Sequence, residues 1–220
     1  MTRPVIGFDL DGVLSNFIGP FQIIGRMLQD AEIARARDLG GPEREAILKA
    51  ALNPALAETL HDPKDYYGDG MSAEMFDVIF SFIEKEAFHY WSNLPCFVPD
   101  DQRLKMVGLN AYYDIHYITS RRGNRDIVRE ATLRWLQRRN FPVADIEHVT
   151  VAGAKGLAAY SLGGQAFIDD DPGKCASLRM AHVPLVFMQA RRYNLEVNVQ
   201  GVRRGTLGQF LGILERRAVA

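Results

Sequence analysis

Two carboxylates two residues apart, Asp9 and Asp11, follow a short apolar run near the start of the chain. The run Val5–Phe8 is partly β-branched, and Gly7 and Gly12 would interrupt a helix, so the pattern favours a buried strand. Carboxylates at the exit of a buried strand need a positive or hydrogen-bonding partner, because burying an unpaired charge is costly. Mg²⁺ suits them, since it accepts few protein carboxylates and keeps water and phosphate ligands.

The spacing of the two carboxylates also predicts a division of labour. If the strand geometry persists, Asp9 and Asp11 lean the same way, and Gly12 then lets the backbone turn sharply. Asp9 could give one oxygen to Mg²⁺ and keep the other for attack, while Asp11 offers its carbonyl to the metal and its side chain for proton transfer. The alternative interpretation of Asp-x-Asp-Gly is a solvated turn without chemistry.

Length and composition set limits on the function. A chain of 220 residues with 47% hydrophobic and 24% charged residues is typical of one folded domain, or of a core with a smaller inserted domain. The formal net charge of −1 provides no field that would hold a nucleic acid polymer or an anionic membrane. Two cysteines, Cys96 and Cys175, cannot form a disulfide framework and indicate reduced thiols. Without a signal or membrane-spanning pattern, we expect a cytoplasmic protein.

The pattern from Phe17 to about Leu94 is helical throughout. Its clearest helix begins after Ser72, a residue that can cap it. One apolar stripe of this helix is predicted to be core: Met75, Phe76, Ile79, Phe80, Ile83 and Ala87. No strand pattern interrupts the segment, which therefore reads as a helical insertion.

After Pro95 and Pro99 the pattern alternates between helices and strands. Strands are predicted at 115–118, 148–151, 166–168 and 184–188, and helices at 102–109, 126–138, 157–162, 173–180 and 206–217. Alternation at these lengths implies parallel pairing with right-handed crossovers. We therefore predict an α/β fold, a doubly wound parallel sheet built from residues 1–13 and 95–220, with an all-helical cap at residues 14–94 inserted after the first strand.

Ligands of an open parallel sheet bind beyond the carboxyl ends of its strands. The predicted strand ends carry carboxylate, hydroxyl and ammonium groups: Asp9 and Asp11, Thr119 and Ser120, Lys155, and Asp169 and Asp170. These types fit phosphoryl transfer, in which a carboxylate attacks phosphorus while cations and hydrogen-bond donors stabilise the charge on the equatorial oxygens.

The roles follow from the residue types. Asp9 is the predicted nucleophile, and Asp11 the acid that protonates the leaving group and then activates water. Lys155 would neutralise charge on Asp9 and on the phosphate. Asp170 would complete the Mg²⁺ site with Asp9 and Asp11, and Asp169 is either an alternative metal contact or a group that orients Lys155.

Substrate contacts are predicted around these groups. Thr119, Ser120 and Arg121 would hold phosphate oxygens, with Arg122 as an alternative to Arg121. Phe17 lies close enough to the nucleophile loop to contact the substrate.

Three further aromatic residues compete with Phe17 for a stacking role. Phe21 could roof the site beside Phe17, although both could equally be core of the cap. Tyr66 and Tyr67, in a polar loop, are alternative stacking residues. His116 lies within a strand pattern and is predicted to be a core histidine.

The chain resembles the haloacid dehalogenase superfamily of phosphohydrolases. Asp9-Leu10-Asp11-Gly12-Val13 is similar to its first motif, Thr119 to its second, Lys155 to its third and Asp169-Asp170 to its fourth. The stretches most similar to the 5′(3′)-deoxyribonucleotidase family and its bacterial and phage relatives are Phe8–Leu14, Ile118–Arg121, Phe167–Pro172 and Arg192–Asn194. The resemblance implies a Mg²⁺-dependent phosphomonoesterase that hydrolyses a 5′ or 3′ nucleoside monophosphate through an aspartyl phosphate, with the cap selecting the substrate.

Other functions stay open at this point. The same chemistry could serve a sugar phosphate or a polynucleotide 3′-phosphate, and a phosphate-binding regulatory module would use similar residues without turnover. The expected partner is a small phosphorylated molecule, and a homodimer is compatible with it. Asp171, a third negative charge, is interpreted as a helix cap before Pro172.

The remaining basic and histidine residues are expected to be structural. The five histidines show no zinc-ligand spacing. Four arginine pairs are interpreted as solvated ends of helices and loops: Arg138-Arg139, Arg191-Arg192, Arg203-Arg204 and Arg216-Arg217.

Overall fold

A parallel β-sheet forms the centre of the computed structural model, which describes residues 3–29, 39–57 and 72–219. The sheet has six strands in the order β3-β2-β1-β4-β5-β6, and every pairing is parallel. The strands are β1 Val5–Phe8, β2 Asp114–Thr119, β3 Val149–Val151, β4 Gly164–Asp169, β5 Leu185–Gln189 and β6 Arg203–Gly205. The predicted doubly wound α/β sheet is thereby confirmed.

The position of β1 decides where a ligand can bind. The chain passes from β1 to β2 and β3 on one side, then returns to β4 on the other side of β1. The strand order therefore switches direction between β1 and β4, and the loops leaving these strands separate there. Such a switch point opens a crevice at the carboxyl ends of the strands.

Helices cover the sheet and make up most of the described residues between β1 and β2. They are α1 Ile18–Gln29, α2 Gly41–Ala51, α3 Pro54–Ala57, α4 Ala73–Lys85, α5 Ala87–Asn93, α6 Asp100–Leu109, α7 Arg125–Arg138, α8 Lys155–Ser161, α9 Pro172–Met180 and α10 Leu207–Ala218. Ser72 caps α4 as predicted, because its side chain accepts a hydrogen bond from the Met75 amide. Among the helices of the described ranges, none is long and apolar enough to cross a bilayer.

The last helix of the inserted segment is bonded to the helix that follows β2. Trp135 of α7 donates its indole N–H to the Leu94 carbonyl at 2.7 Å, and Trp91 of α5 donates to the Arg122 carbonyl at 3.2 Å. Both tryptophans are almost fully buried, and a buried side chain of this size stabilises the fold by more than about 2 kcal/mol. These two hydrogen bonds fix helix α5 against helix α7 and against the loop that follows β2. The boundaries of the cap at 13/14 and 94/95 stay a prediction.

Strand β6 corrects the interpretation of Arg203-Arg204 as a solvated loop or helix end. Arg203 pairs with Phe187 and Arg204 with Met188 at the edge of the sheet. Both arginine side chains are exposed, so the segment has no apolar alternation for a sequence pattern to detect. Charged side chains are common on edge strands, where they discourage pairing with other chains.

Candidate active site

A cavity of about 460 Å³ opens at the carboxyl ends of β1, β2 and β4. Every strand-end residue predicted to do chemistry lines it: Asp9, Asp11, Thr119, Ser120, Arg121, Lys155, Asp169 and Asp170. The parallel pairing brings these groups together although they are distributed over most of the chain. The sheet therefore places the predicted residues at one site.

Lys155 stands at the centre of the acidic part of the cavity. It is the first residue of α8, and its Nζ lies 2.6 Å from Asp9 Oδ1 and 2.7 Å from Asp169 Oδ2. Burial alone would lower the pKa of Lys155, but the charges of Asp169 and Asp9 outweigh burial and raise it. Lys155 therefore carries its charge at any pH near neutrality.

The carboxylates around Lys155 hold more negative charge than one ammonium can balance. Burial, together with the charge of Asp169, raises the pKa of Asp9 to about 7. Burial and the charges of Asp9 and Asp169 also raise the pKa of Asp170 well above its ordinary value. One oxygen from each of Asp9, Asp169 and Asp170 lies within 4.8 Å of the others. Three hard oxygen donors with excess negative charge fit a divalent cation such as Mg²⁺.

Asp170 is positioned by the loop after β1 and by the turn Arg192–Asn194. Gly12 has φ +85°, and a Cβ on it would lie 2.0 Å from Asp170 Oδ2. Asn194, fully buried, donates its amide to the Asp170 carbonyl at 2.7 Å, and Arg191 Nε donates to the Gly12 carbonyl at 2.6 Å. The interpretation of Arg191 as a solvated end is wrong: burial lowers its pKa, and its guanidinium lies 4.3 Å from the ring centre of Phe97.

The Asp11 side chain is held by partners outside the group formed by Asp9, Asp169 and Asp170. Ser15 donates its hydroxyl to Asp11 Oδ1 at 2.7 Å, and Arg121 forms a two-pronged ion pair with the carboxylate, with Nη2 at 2.9 Å and Nε at 3.0 Å. The Asp11 side chain is therefore held by a cation and a hydroxyl, and the group of carboxylates suited to a metal contains Asp169 in its place. A metal contact through the Asp11 carbonyl stays a prediction.

The main partner of the Arg121 guanidinium is the Asp11 carboxylate. Its side chain is fully buried, its Nη1 donates to Thr132 Oγ1 at 2.9 Å, and its guanidinium lies 4.9 Å from the ring centre of Trp91. With these partners in place, Arg121 positions the Asp11 carboxylate, and its predicted contact with phosphate stays untested. Its neighbour Arg122 is exposed and lines the same cavity.

The two predicted hydroxyl residues differ in their surroundings. Thr119 is buried, and its Oγ1 accepts a hydrogen bond from the Arg121 amide at 3.3 Å. Ser120 is exposed and donates its hydroxyl to the Ala152 carbonyl at 3.1 Å. Both line the cavity, so both stay candidates for contact with phosphate.

An aromatic wall, defined here as Phe17, Phe80 and Trp91, closes the cavity on the side of the inserted helices. The Phe17 ring is stacked 5.7 Å from Trp91 and 6.2 Å from Phe80, and the Arg122 guanidinium lies 4.2 Å from the ring centre of Phe80. Phe17 thus both packs and lines the cavity, whereas Phe21 is fully buried core.

Two other predictions differ in outcome. Tyr66 and Tyr67 lie outside the described residues. Asp171 caps α9 as predicted, because its side chain accepts hydrogen bonds from the amides of Gly173 and Lys174.

Several residues that line the cavity were not predicted as site residues. Phe80 belongs to the α4 stripe that was predicted as core, and Trp91 lies on α5, where no stripe was predicted. Lys174, which donates to the Gly153 carbonyl at 2.8 Å, lies on α9. Tyr193 also lines the cavity; its only signal was its place in the segment Arg192–Asn194. Helical periodicity identifies a buried face but does not show which part of that face meets a cavity.

Solved structures share this fold over almost the whole chain. A haloacid dehalogenase-like hydrolase from Burkholderia xenovorans is 14% identical with a TM-score of 0.54, covering 96% of this chain and 98% of its own. A predicted phosphoglycolate phosphatase from Haemophilus somnus is 14% identical with a TM-score of 0.52, covering 97% and 98%. A hydrolase of the same type from Bacillus subtilis, bound to magnesium, is 12% identical with a TM-score of 0.52, covering 98% and 100%.

The likeness is confined to three-dimensional structure. No protein-family model matches the chain, and no curated protein matches its sequence. At 12 to 14% identity, similarity of structure establishes a shared fold. The chain therefore has the fold of the haloacid dehalogenase-like hydrolases.

Proposed function

We propose that this chain belongs to the haloacid dehalogenase superfamily and is a Mg²⁺-dependent phosphomonoesterase that acts through an aspartyl phosphate. The observation that carries the proposal is the contact of Lys155 with Asp9 and Asp169 at 2.6 and 2.7 Å in a cavity that also holds Asp11. A carboxylate nucleophile, a fixed ammonium and a separate acid–base carboxylate are the groups that phosphoryl transfer requires. Support also comes from the fold shared with a predicted phosphatase.

In the first step, an oxygen of Asp9 attacks phosphorus while the bond to the leaving oxygen breaks. Asp11 gives a proton to that oxygen, so the alcohol leaves neutral and the phosphoryl group stays on Asp9. In the second step, Asp11 takes a proton from water, which attacks the same phosphorus and releases inorganic phosphate and the free Asp9 carboxylate. Arg121 and Ser15 keep the Asp11 carboxylate in place for both steps.

Mg²⁺ would be held by Asp9 and Asp170 together with the Asp11 carbonyl, with Asp169 orienting Lys155. When bound, the cation supplies positive charge beside the transferring phosphoryl group. Lys155 Nζ, 2.6 Å from Asp9 Oδ1, would add a second positive charge beside the nucleophile. Thr119 and Ser120, which both line the cavity, would donate their hydroxyls to phosphate oxygens.

The substrate class we propose is a small nucleotide. The aromatic wall offers flat apolar rings, and Arg122 places a positive charge over one of them. Such a surface suits a base or sugar beside an anionic phosphate. Phe17 would contact the substrate, and residues 14–94 would act as the cap that selects it. The similarity of three motif stretches to the deoxyribonucleotidase family supports the same choice.

A small organic phosphate is the second candidate substrate. The observation that favours it is the similarity to a predicted phosphoglycolate phosphatase over 97% of this chain. The Asp9, Asp11 and Lys155 chemistry would be unchanged, because the cap and the aromatic wall alone would select the leaving group.

Steady-state phosphate release from nucleoside 5′- and 3′-monophosphates, sugar phosphates and phosphoglycolate tests both candidates. We expect release that requires Mg²⁺, stops with chelator and is fastest for a nucleotide. Asp9→Asn should lower kcat by at least about a thousandfold, because it removes the nucleophile. Asp171→Asn is the matched control, because Asp171 lines the same cavity and is changed in the same way. Asn also caps a helix, so we expect this variant to keep its activity.

Two outcomes would contradict the proposal. Full activity of Asp9→Asn would exclude the aspartyl phosphate. Binding of phosphate and Mg²⁺ without turnover of any substrate would favour a regulatory phosphate-binding module.

A further inference from the structure

A second group of metal-ligating side chains lies at the opposite end of β2 from Thr119. Asp114 and His116 are two residues apart on β2, so their side chains lie on the same face of the strand. His148 ends the turn Ile146–His148, and the next residue pairs with Tyr117 of β2. One ligand atom from each of Asp114, His116 and His148 lies within 4.8 Å of the others.

The spacing of these atoms suits one ion. His116 Nε2 lies 3.2 Å from Asp114 Oδ2, and His148 Nε2 lies 3.2 Å from Asp114 Oδ1. Two donors on a tetrahedral zinc ion with bonds of about 2.1 Å are about 3.4 Å apart. Each histidine nitrogen therefore lies near that separation from one oxygen of Asp114, His116 from Oδ2 and His148 from Oδ1.

Asp145 fixes the orientation of His148. Its Oδ1 lies 2.8 Å from His148 Nδ1, and this hydrogen bond lowers the pKa of Asp145, which stays ionised. With Nδ1 hydrogen-bonded to Asp145, Nε2 is the ring nitrogen of His148 that faces the Asp114 carboxylate, 3.2 Å away. In many metal sites, a histidine binds the metal through one ring nitrogen and donates the N–H of the other to a carboxylate.

The two imidazole rings are adjacent, with centroids 4.9 Å apart and an inclination of 31°, so a nitrogen of each lies near the Asp114 carboxylate. His116 is buried, and its Nδ1 has no hydrogen-bond partner among the described residues, so no contact there fixes its tautomer. The side chains of His148 and Asp114 are 21% and 32% exposed, which leaves a path for an ion and a water ligand.

We propose that Asp114, His116 and His148 bind a divalent transition-metal ion of the zinc type, with Asp145 as the positioning residue for His148. Two imidazoles and one carboxylate prefer such an ion over Mg²⁺. The site is separate from the proposed phosphatase cavity and does not depend on it. Bound metal would tie β2 to β3, which is only three residues long and forms an edge of the sheet.

Copper(II) added to chelator-stripped full-length protein in excess Mg²⁺ tests the site directly. Electron paramagnetic resonance detects imidazole nitrogen as superhyperfine splitting, which the carboxylate cluster of Asp9, Asp169 and Asp170 cannot produce. We expect splitting from two nitrogens in the wild type and from one in His148→Gln. Zinc affinity, measured by competition with a chromophoric chelator, should fall by about tenfold or more in the same variant.

Two further variants keep the test decisive. Asp145→Asn retains all three ligands and should weaken zinc binding about tenfold through the loss of orientation alone. His89→Gln removes an exposed histidine of α5 and should leave both measurements unchanged. A wild-type spectrum without nitrogen splitting, or equal zinc affinity in wild type, His148→Gln and His89→Gln, would overturn the proposal.

Discussion

Gly12 occupies a position that a residue with a side chain cannot take without moving Asp170. Its φ of +85° lies in the left-handed region, and a Cβ would meet Asp170 Oδ2 at 2.0 Å. We expect Gly12→Ala to destabilise the protein by about 1–3 kcal/mol through backbone strain and to displace a carboxylate of the acidic cluster. Thermal unfolding should show a lower Tm and a smaller stabilisation by Mg²⁺ than in the wild type.

Gly153→Ala is the matched control for this substitution. Gly153 also lies on a loop beside the cavity, but a Cβ there would meet no atom within 4 Å. Its Tm and Mg²⁺ response should be close to those of the wild type. Equal Mg²⁺ stabilisation in the two alanine variants would show that the position of Asp170 does not depend on Gly12.

Individual site residues could be predicted where the neighbouring residues show that a strand ends. Asp9 and Asp170 each come after a short apolar run that predicts a strand, and parallel pairing brings the ends of these strands together. The pairing of Asp11 with Arg121 could not be predicted, because the two residues are 110 positions apart and no local pattern records which guanidinium reaches which carboxylate. The same limit concealed the approach of His148 to Asp114, which are 34 positions apart.

At the scale of elements, apolar strands were predictable and the polar edge was not. Strand β1 was predicted with its observed bounds, Val5–Phe8, because burial on both faces requires a continuous apolar run. Strand β6 contains Arg203, Arg204 and Gly205 and pairs with β5 through its backbone, so it has no hydrophobic periodicity that could predict it. Helix α4 was predicted as core, but a helix stripe does not show that Phe80 also borders a cavity.

Helices α4 and α5 contact the loop after β2, and this contact leads to a prediction about substrate binding. Arg122 lies over Phe80 and is exposed to the cavity, so it can contact an anionic substrate without losing a buried partner. We expect Arg122→Ala to raise KM about tenfold with little change in kcat, because a charge-assisted hydrogen bond to bound substrate contributes about 1.5 kcal/mol.

Steady-state kinetics with the best substrate of the phosphate-release panel would check this expectation. Arg125→Ala is the control, since Arg125 is exposed at the start of α7 and does not line the cavity. A fall in kcat at constant KM would place Arg122 in the transition state and not in substrate binding.

At the scale of the whole molecule, we expect the cluster of Asp9, Asp169 and Asp170 to couple Mg²⁺ binding to folding stability. The folded-state pKa of Asp9, about 7, lies above the value of an unfolded aspartate, because of burial and the charge of Asp169. For an acid with a raised pKa, the contribution to stability is fully present below the unfolded pKa and is lost as pH rises through the folded pKa. Metal-free protein should therefore lose stability between about pH 4 and pH 7 at this site.

Bound Mg²⁺ should reverse this loss, since it neutralises the carboxylates that repel each other. Below pH 7 the ion must displace a proton from Asp9, so its affinity should fall by up to about tenfold, or 1.4 kcal/mol, per pH unit. The difference in Tm between Mg²⁺ and chelator should accordingly grow from pH 5.5 to pH 7.5. Because other groups titrate in both samples, this difference isolates the metal site. Asp170→Asn should flatten the curve, and a difference that is independent of pH in the wild type would show that the cluster does not bind Mg²⁺ in competition with protons.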